Sequence, residues 1–138
     1  MKLLFDTNVI LDVLIERDPF YQNSASCMAK VEKGDIEGWI CGTTVTTLAY
    51  LLGKELKNCD MITHTESLLN MFNVSIISKQ ILFDSLHSGF VDYEDSVLHQ
   101  SAVTSNLDGI ISRNKKDFKK SELPVYTPKE FIAILDQM

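Results

Sequence analysis

The sequence predicts an α/β fold, a three-layer α/β/α sandwich around a central, mainly parallel sheet of four to five strands. Three observations carry that expectation. Short apolar runs such as Lys2–Phe5, Val74–Ile77 and Gly109–Ser112 read as strands buried on both faces. The stretches between them place apolar residues at helical spacing. Strand and helix then alternate along the chain, which implies right-handed crossovers and parallel pairing.

Taken in order, Lys2–Phe5 forms the first strand and stops at the polar cluster Asp6-Thr7-Asn8. From Val9 the spacing is helical. Asp18-Pro19 reads as the N-cap and first-turn proline of a helix running to Gly34, a good terminating residue. Glu37–Cys41 is a second strand. Thr43–Leu56 is helical through Val45, Leu48, Leu51 and Leu52, and Asn58 or Asp60 caps a further helix to about Met71. Val74–Ile77 is rich in β-branched residues, as strands are. Lys79–Ser88 is helical and ends at Gly89. Glu94–Asn106 is a helix with Val97, Leu98, Ala102 and Val103 on its apolar side. Gly109–Ser112 and Val125-Tyr126 complete the strands. Thr127-Pro128-Lys129-Glu130 is a capping box opening a last helix whose apolar face carries Phe131, Ile134 and Leu135.

The chain has 138 residues, 45% apolar and 23% charged, which suits one globular domain over 1–138 and excludes a disordered chain or a long coiled coil. Lys plus Arg number 13 against 19 Asp plus Glu, a net charge of −6, so any nucleic-acid role must come from a local site and not from the global field. No apolar run approaches the roughly 20 residues of a membrane span. Met-Lys-Leu-Leu-Phe meets Asp6 at once, leaving no apolar core for a signal peptide. Cys27, Cys41 and Cys59 are odd in number and form no Cys-x-x-Cys pair, and His64, His87 and His99 lack metal-ligand spacing. Buried thiols in a cytoplasmic protein without membrane contact are expected.

In parallel α/β sheets, ligands bind beyond the C-terminal ends of the strands. Asp6 follows the first strand, Asp92 and Asp95 open the helix leading into the fourth, and Asn114 and Asp117 follow the fourth. Carboxylates gathered in one cleft raise one another's pKa, and a divalent cation relieves that cost. Oxygen donors of this kind suit Mg²⁺ or Mn²⁺, which activate water and stabilise charge on a phosphoryl oxygen. Each acid alone also fits a helix cap or turn; the joint pattern favours a common site. Asn8 lies one turn from Asp12 on a helix face and can orient Asp6, whereas Asp12 reads as a solvated or helix-stabilising charge. Arg113, Lys115, Lys116, Lys119 and Lys120 reverse the sign of charge beside these acids, a pattern suited to phosphate contacts or to a solvated loop.

The sequence resembles PIN-domain proteins, the metal-dependent ribonuclease family that includes VapC-type toxins of toxin–antitoxin pairs. The resemblance rests on Leu3-Leu4-Phe5-Asp6-Thr7-Asn8-Val9-Ile10-Leu11-Asp12, on Asp92-Tyr93-Glu94-Asp95-Ser96, on Ile110-Ile111-Ser112-Arg113-Asn114-Lys115-Lys116-Asp117-Phe118, and on the ending Pro124-Val125 with Pro128-Lys129-Glu130-Phe131. It implies hydrolysis of RNA phosphodiester bonds with Mg²⁺ or Mn²⁺. Carried over by position, Asp6, Asp95 and Asp117 hold the metal, with Asn114 a lesser match for the last and Asp92 a further catalytic candidate. Thr7, Asn8, Thr47 and Asn114 take positioning roles, and Arg113, Lys115 and Lys116 meet the RNA backbone. The resemblance further implies an inhibitory antitoxin protein and a homodimer, for which the helix around Ala49-Tyr50-Leu51-Leu52 offers one surface. The sequence departs from the family where active members carry a glutamate after the second strand: Thr43 to Tyr50 contains no acid, and Thr47, or Thr46, takes that position. The alternative expectation is therefore a weak or inactive module that binds RNA or a protein. A receiver or aspartyl-phosphate domain fits less well, since no acid follows Val74–Ser78 and Asp6-Thr7-Asn8 is not Asp-x-Asp.

Overall fold

Leu3, Leu4 and Phe5 are all fully buried, as a strand with no solvent face requires. They belong to β1 (Lys2–Phe5), the middle strand of a five-stranded, all-parallel sheet. The computed structural model describes residues 1–55 and 60–138. After β1 come α1 (Thr7–Leu14), α2 (Tyr21–Glu32), β2 (Glu37–Cys41), α3 (Gly42–Glu55), α4 (Met61–Met71), β3 (Asn73–Ser75), α5 (Lys79–Ser85), α6 (Tyr93–Thr104), β4 (Gly109–Ile111), a 3-10 turn at Lys115–Phe118, β5 (Val125–Tyr126) and α7 (Pro128–Asp136). The sheet order is β3-β2-β1-β4-β5.

Side-chain alternation along the strands divides the core in two. Leu3, Phe5, Ile40 and Ile111 join Val9, Ile10, Met28, Leu48, Leu68 and Phe131, so α1, α2, α3, α4 and α7 cover one face. Leu4, Cys41 and Ile110 join Ile81, Val97, Leu98 and Ala102, so α5 and α6 cover the other. The expected three-layer architecture is thus formed. Gly38 makes room on the first face: a Cβ there would stand 2.7 Å from the Phe72 ring, which packs edge-on against Phe5 at 5.1 Å. Gly34, with φ +82°, takes the left-handed conformation that ends the α2 segment.

Several boundaries differ from expectation. Asp18-Pro19 does not cap α2. The amides of Phe20 and Tyr21 donate to Arg17 O, closing a turn that delays the helix to Tyr21, and the Asp18-Pro19 bond is cis. The third strand begins at Asn73 and ends at Ser75 because its pairing partner β2 ends at Cys41, leaving Ile76 exposed. On α7 the inward face is Phe131, Ile132 and Leu135, while Ile134 is 39% exposed. Asp60 caps α4 through Thr63 N at 3.0 Å, and the capping box of Thr127 and Glu130 is formed. Leu56, Asn58 and Cys59 lie outside the described residues; Cys27 and Cys41 are buried free thiols. Among the described residues no helix is long and apolar enough to cross a membrane.

Candidate active site

Chain order and sheet order part company at β1. The chain steps outward through β2 to β3, then returns to lay β4 on the opposite side of β1. A crevice opens beyond the strand ends at such a switch point. Asp6 leaves β1 there, its amide donating to Ile111 O at 2.9 Å, and Ser112 leaves β4 beside it.

Asp6 occupies the N-cap position of α1 but makes no cap hydrogen bond with its side chain. Its Oδ2 instead accepts from Ser112 Oγ at 2.8 Å. Ser112 Oγ in turn accepts from Asn114 N at 3.1 Å, which fixes the turn after β4. The sequence reading missed Ser112; a hydroxyl two residues before Asn114 carries no chemical signature until the strand ends meet. Thr7 and Thr44 share a hydroxyl hydrogen bond of 2.9 Å that pins the start of α1 to α3.

From α6 come two acids with separate duties. Asp92 Oδ1 accepts from Asp95 N at 3.0 Å, so Asp92 is the helix cap its position allowed. Asp92 and Asp95 also line, with Asp6 and Asp117, a pocket of about 350 Å³. Thr7, Asn8, Thr47 and Asn114 line it too, as does Glu94, which had no place among the expected site residues. Thr46 is not among the lining residues.

Burial and mutual repulsion both raise the pKa values of acids in this pocket. Burial pushes the Asp6 carboxyl above its ordinary range, against the Ser112 hydrogen bond, and the Glu94 charge adds to the rise. Asp95 is pushed up to about 7, first by burial and then by the charges of Asp6, Asp92, Asp117 and Glu94. Among the described residues no three His, Cys, Asp or Glu side chains stand close enough to enclose an ion by themselves. Mg²⁺ retains several waters and is ordinarily held through one or two carboxylates, so this widely spaced set of carboxylate, amide and hydroxyl oxygens fits a hydrated hard cation.

The basic segment divides. Lys116, Lys119 and Lys120 line a neighbouring pocket of about 420 Å³ that shares Asp92, Asp95 and Asp117 with the first. Lys115 turns to Glu130, Nζ to Oε2 at 3.2 Å. Arg113 turns away from the acids: its Nε donates to Asp12 Oδ2 at 2.8 Å and its guanidinium lies 4.1 Å over the Phe20 ring. Asp12, expected as a solvated or helix-stabilising charge, is not solvated but fully buried, and it is paired also with Arg17 at 3.6 Å.

The PIN domain family model matches residues 2–116. No curated protein sequence matches the chain. Among solved structures, a toxin–antitoxin complex from Klebsiella pneumoniae is similar at TM-score 0.68 and 25% identity, covering 91% of this chain and 97% of that one. VapBC-1 from nontypeable Haemophilus influenzae gives TM-score 0.68 at 19% identity, covering 94% of this chain and 99% of the other. VapBC2 from Rickettsia felis, bound to a DNA fragment from their promoter, gives 0.68 at 17% identity over 92% of this chain and 98% of that one.

Proposed function

This chain belongs to the PIN domain family, whose model it matches over residues 2–116, and on that premise we propose that it is a metal-dependent ribonuclease cleaving RNA phosphodiester bonds. The observation that carries the reading is the meeting of Asp6, Asp95, Asp92 and Asp117, from three separated segments, in one pocket at the switch point of the sheet. In this reading Asp6 and Asp95 hold one Mg²⁺ or Mn²⁺, and Asp117 and Asp92 act through water. The cation supplies Lewis-acid stabilisation of phosphoryl charge and a more acidic water. Ser112 holds Asp6 in register through its hydrogen bond. Asn8, Asn114, Thr7 and Thr47 position water or the scissile phosphate, and Lys116 neutralises a flanking phosphate. The toxin–antitoxin complexes among its structural neighbours support a protein inhibitor as partner, and the family resemblance alone carries a homodimer as the working form.

Asp6→Asn and Asp95→Asn should each abolish cleavage of single-stranded RNA, as should EDTA, with the fold retained. Unchanged Mg²⁺-dependent cleavage by the purified Asp6→Asn protein would end this reading. A second reading is favoured by one observation, that α3 presents Thr47 and no acid to the pocket: a module that binds RNA without cutting it. Retention of RNA with no cleavage in Mn²⁺ would select it.

A further inference from the structure

We propose that the protein carries a second site, for a small organic carboxylate with an apolar body, in the cavity where the first turns of α2 and α7 meet Arg113. The cavity holds about 240 Å³, and Pro19, Phe20, Ser24, Arg113, Pro128 and Lys129 are among the residues that line it. It shares no lining residue with the acidic pocket and does not depend on the metal chemistry assigned there. No acid lines it; its charged members are Arg113 and Lys129.

Ser24 is fully buried on α2, and its Oγ has no hydrogen-bond partner. The Phe20 carbonyl one turn back accepts the Ser24 amide at 3.1 Å and leaves the hydroxyl unused. A buried hydroxyl left unpaired costs stability, so it marks a place where a partner is missing. Arg113 uses Nε and Nη2 on Asp12, at 2.8 and 3.4 Å, and its Nη1 has no acceptor among the described residues. Arg17 faces the same carboxylate at 3.6 Å, so two guanidinium groups share one acid and positive charge is left over. Lys129 is exposed and forms no ion pair among the described residues. Its amide is the orphan donor of the α7 first turn: Pro128 has no N–H, Thr127 Oγ takes the Glu130 amide at 3.1 Å, and Thr127 O takes that of Phe131 at 2.9 Å. Such an end of a helix favours an anion.

Pro19, Phe20 and Pro128 supply apolar wall, which sets the rest of the ligand. An apolar space of about 150 Å³ already admits benzene, so this one has room for a ring that bears a carboxylate. The planar guanidinium suits the two oxygens of that group. A bare phosphate would meet the same donors and leave the apolar wall unfilled. A solvated lysine and a tolerated unpaired serine are each ordinary alone; their meeting at one apolar cavity, beside a guanidinium only half answered, is what a carboxylate explains.

The probe is benzoate, titrated at neutral pH into the isotope-labelled full chain and followed through its backbone amide resonances. Saturable shifts should centre on Ser24 and Lys129. Ser24→Ala and Lys129→Gln should each weaken binding about tenfold, as loss of a hydrogen bond to a charged group does. Ser24→Ala should melt no lower than wild type without benzoate, because no bond within the protein is lost. Lys33→Gln, which removes an exposed cation at the other end of α2, should bind as wild type does. Benzamide and inorganic phosphate should each bind at least about tenfold more weakly than benzoate. Absence of saturable shifts overturns the site. Benzamide equal to benzoate would show an apolar cavity with no call for an anion, and phosphate equal to benzoate a patch of cations alone; either ends the assignment, as would wild-type affinity in Ser24→Ala or an equal loss in Lys33→Gln.

Discussion

Ser112 Oγ stands 2.8 Å from Asp6 Oδ2, a hydrogen bond between residues 106 apart in sequence that ties the end of β4 to the end of β1. Both residues are buried, so the carboxylate has little water to replace the hydroxyl if it is removed. Ser112→Ala should cost about 1–3 kcal/mol in urea denaturation, as loss of a buried partner does. The bond favours the ionised form of Asp6, so its removal raises an already raised pKa further. The deficit should therefore shrink as pH falls and Asp6 takes up its proton. A deficit that stays constant down to the acid unfolding transition would show that Asp6 is not the group that matters.

Asp95 makes the second pH-dependent prediction. Its folded pKa of about 7 lies above the ordinary 3.8, so between those values the folded chain binds more protons than the unfolded one. Its contribution to stability is thus fully present at low pH and is lost as pH rises through about 7. His99 works in the opposite sense, its pKa lowered by burial, so the comparison must be differential. The stability difference between Asp95→Asn and wild type should grow in the variant's favour from pH 5 to pH 8 in EDTA. Adding Mg²⁺ at pH 8 should stabilise wild type and leave Asp95→Asn where it was. A flat difference across this range would remove Asp95 from the cluster.

The pairing of Arg113 with Asp12 predicts a structural loss and no direct loss of RNA contact. Asp12 is fully buried, and Arg113 Nε is its nearest cation. Breaking such a pair strands a buried charge, at about 3–5 kcal/mol. Arg17, at 3.6 Å, remains beside Asp12, so Arg113→Met should fall at the lower end. Replacing both members, Asp12→Leu with Arg113→Met, should recover much of that loss. Chemical denaturation of the two variants checks this; a double variant no more stable than Arg113→Met would mean the pair is held for reasons other than charge burial.

The alternation of apolar runs made the layers and all five strands legible, and three carboxylate-bearing segments converge where parallel-sheet topology sends them. What the sequence concealed depends on tertiary partners. Asp12 looks solvated one turn from Asn8 until Arg113 arrives from 101 residues away. Asp18-Pro19 carries the residues of a cap, yet the main chain spends its next two amides on Arg17 O. Glu94 reads as one acid in a helix-opening run, and only the folded chain puts it on the wall of the pocket that Asp6 lines. Charge sign was readable along residues 113 to 120, but the direction of each side chain was not.

That last distinction yields a prediction that separates two adjacent lysines. Lys115 is paired with Glu130 on α7, and both side chains are about half exposed, so its charge is already partly answered. Lys116 lines the pocket beside Asp92, Asp95 and Asp117, where a phosphate flanking the scissile bond would lie in the proposed reading. A lysine that neutralises one phosphate of a single strand contributes about 0.7 to the slope of log affinity against log salt. Binding of a fluorescent single-stranded RNA, measured across salt concentrations in the Asp6→Asn background to keep it intact, should show Lys116→Gln lowering that slope by about this amount. Lys115→Gln should leave it nearly unchanged, because its loss frees Glu130 at the far side of the loop and removes no phosphate contact. Equal effects from the two substitutions would mean that RNA senses only the loop's overall charge, and that the pocket beside the acids does not direct the strand.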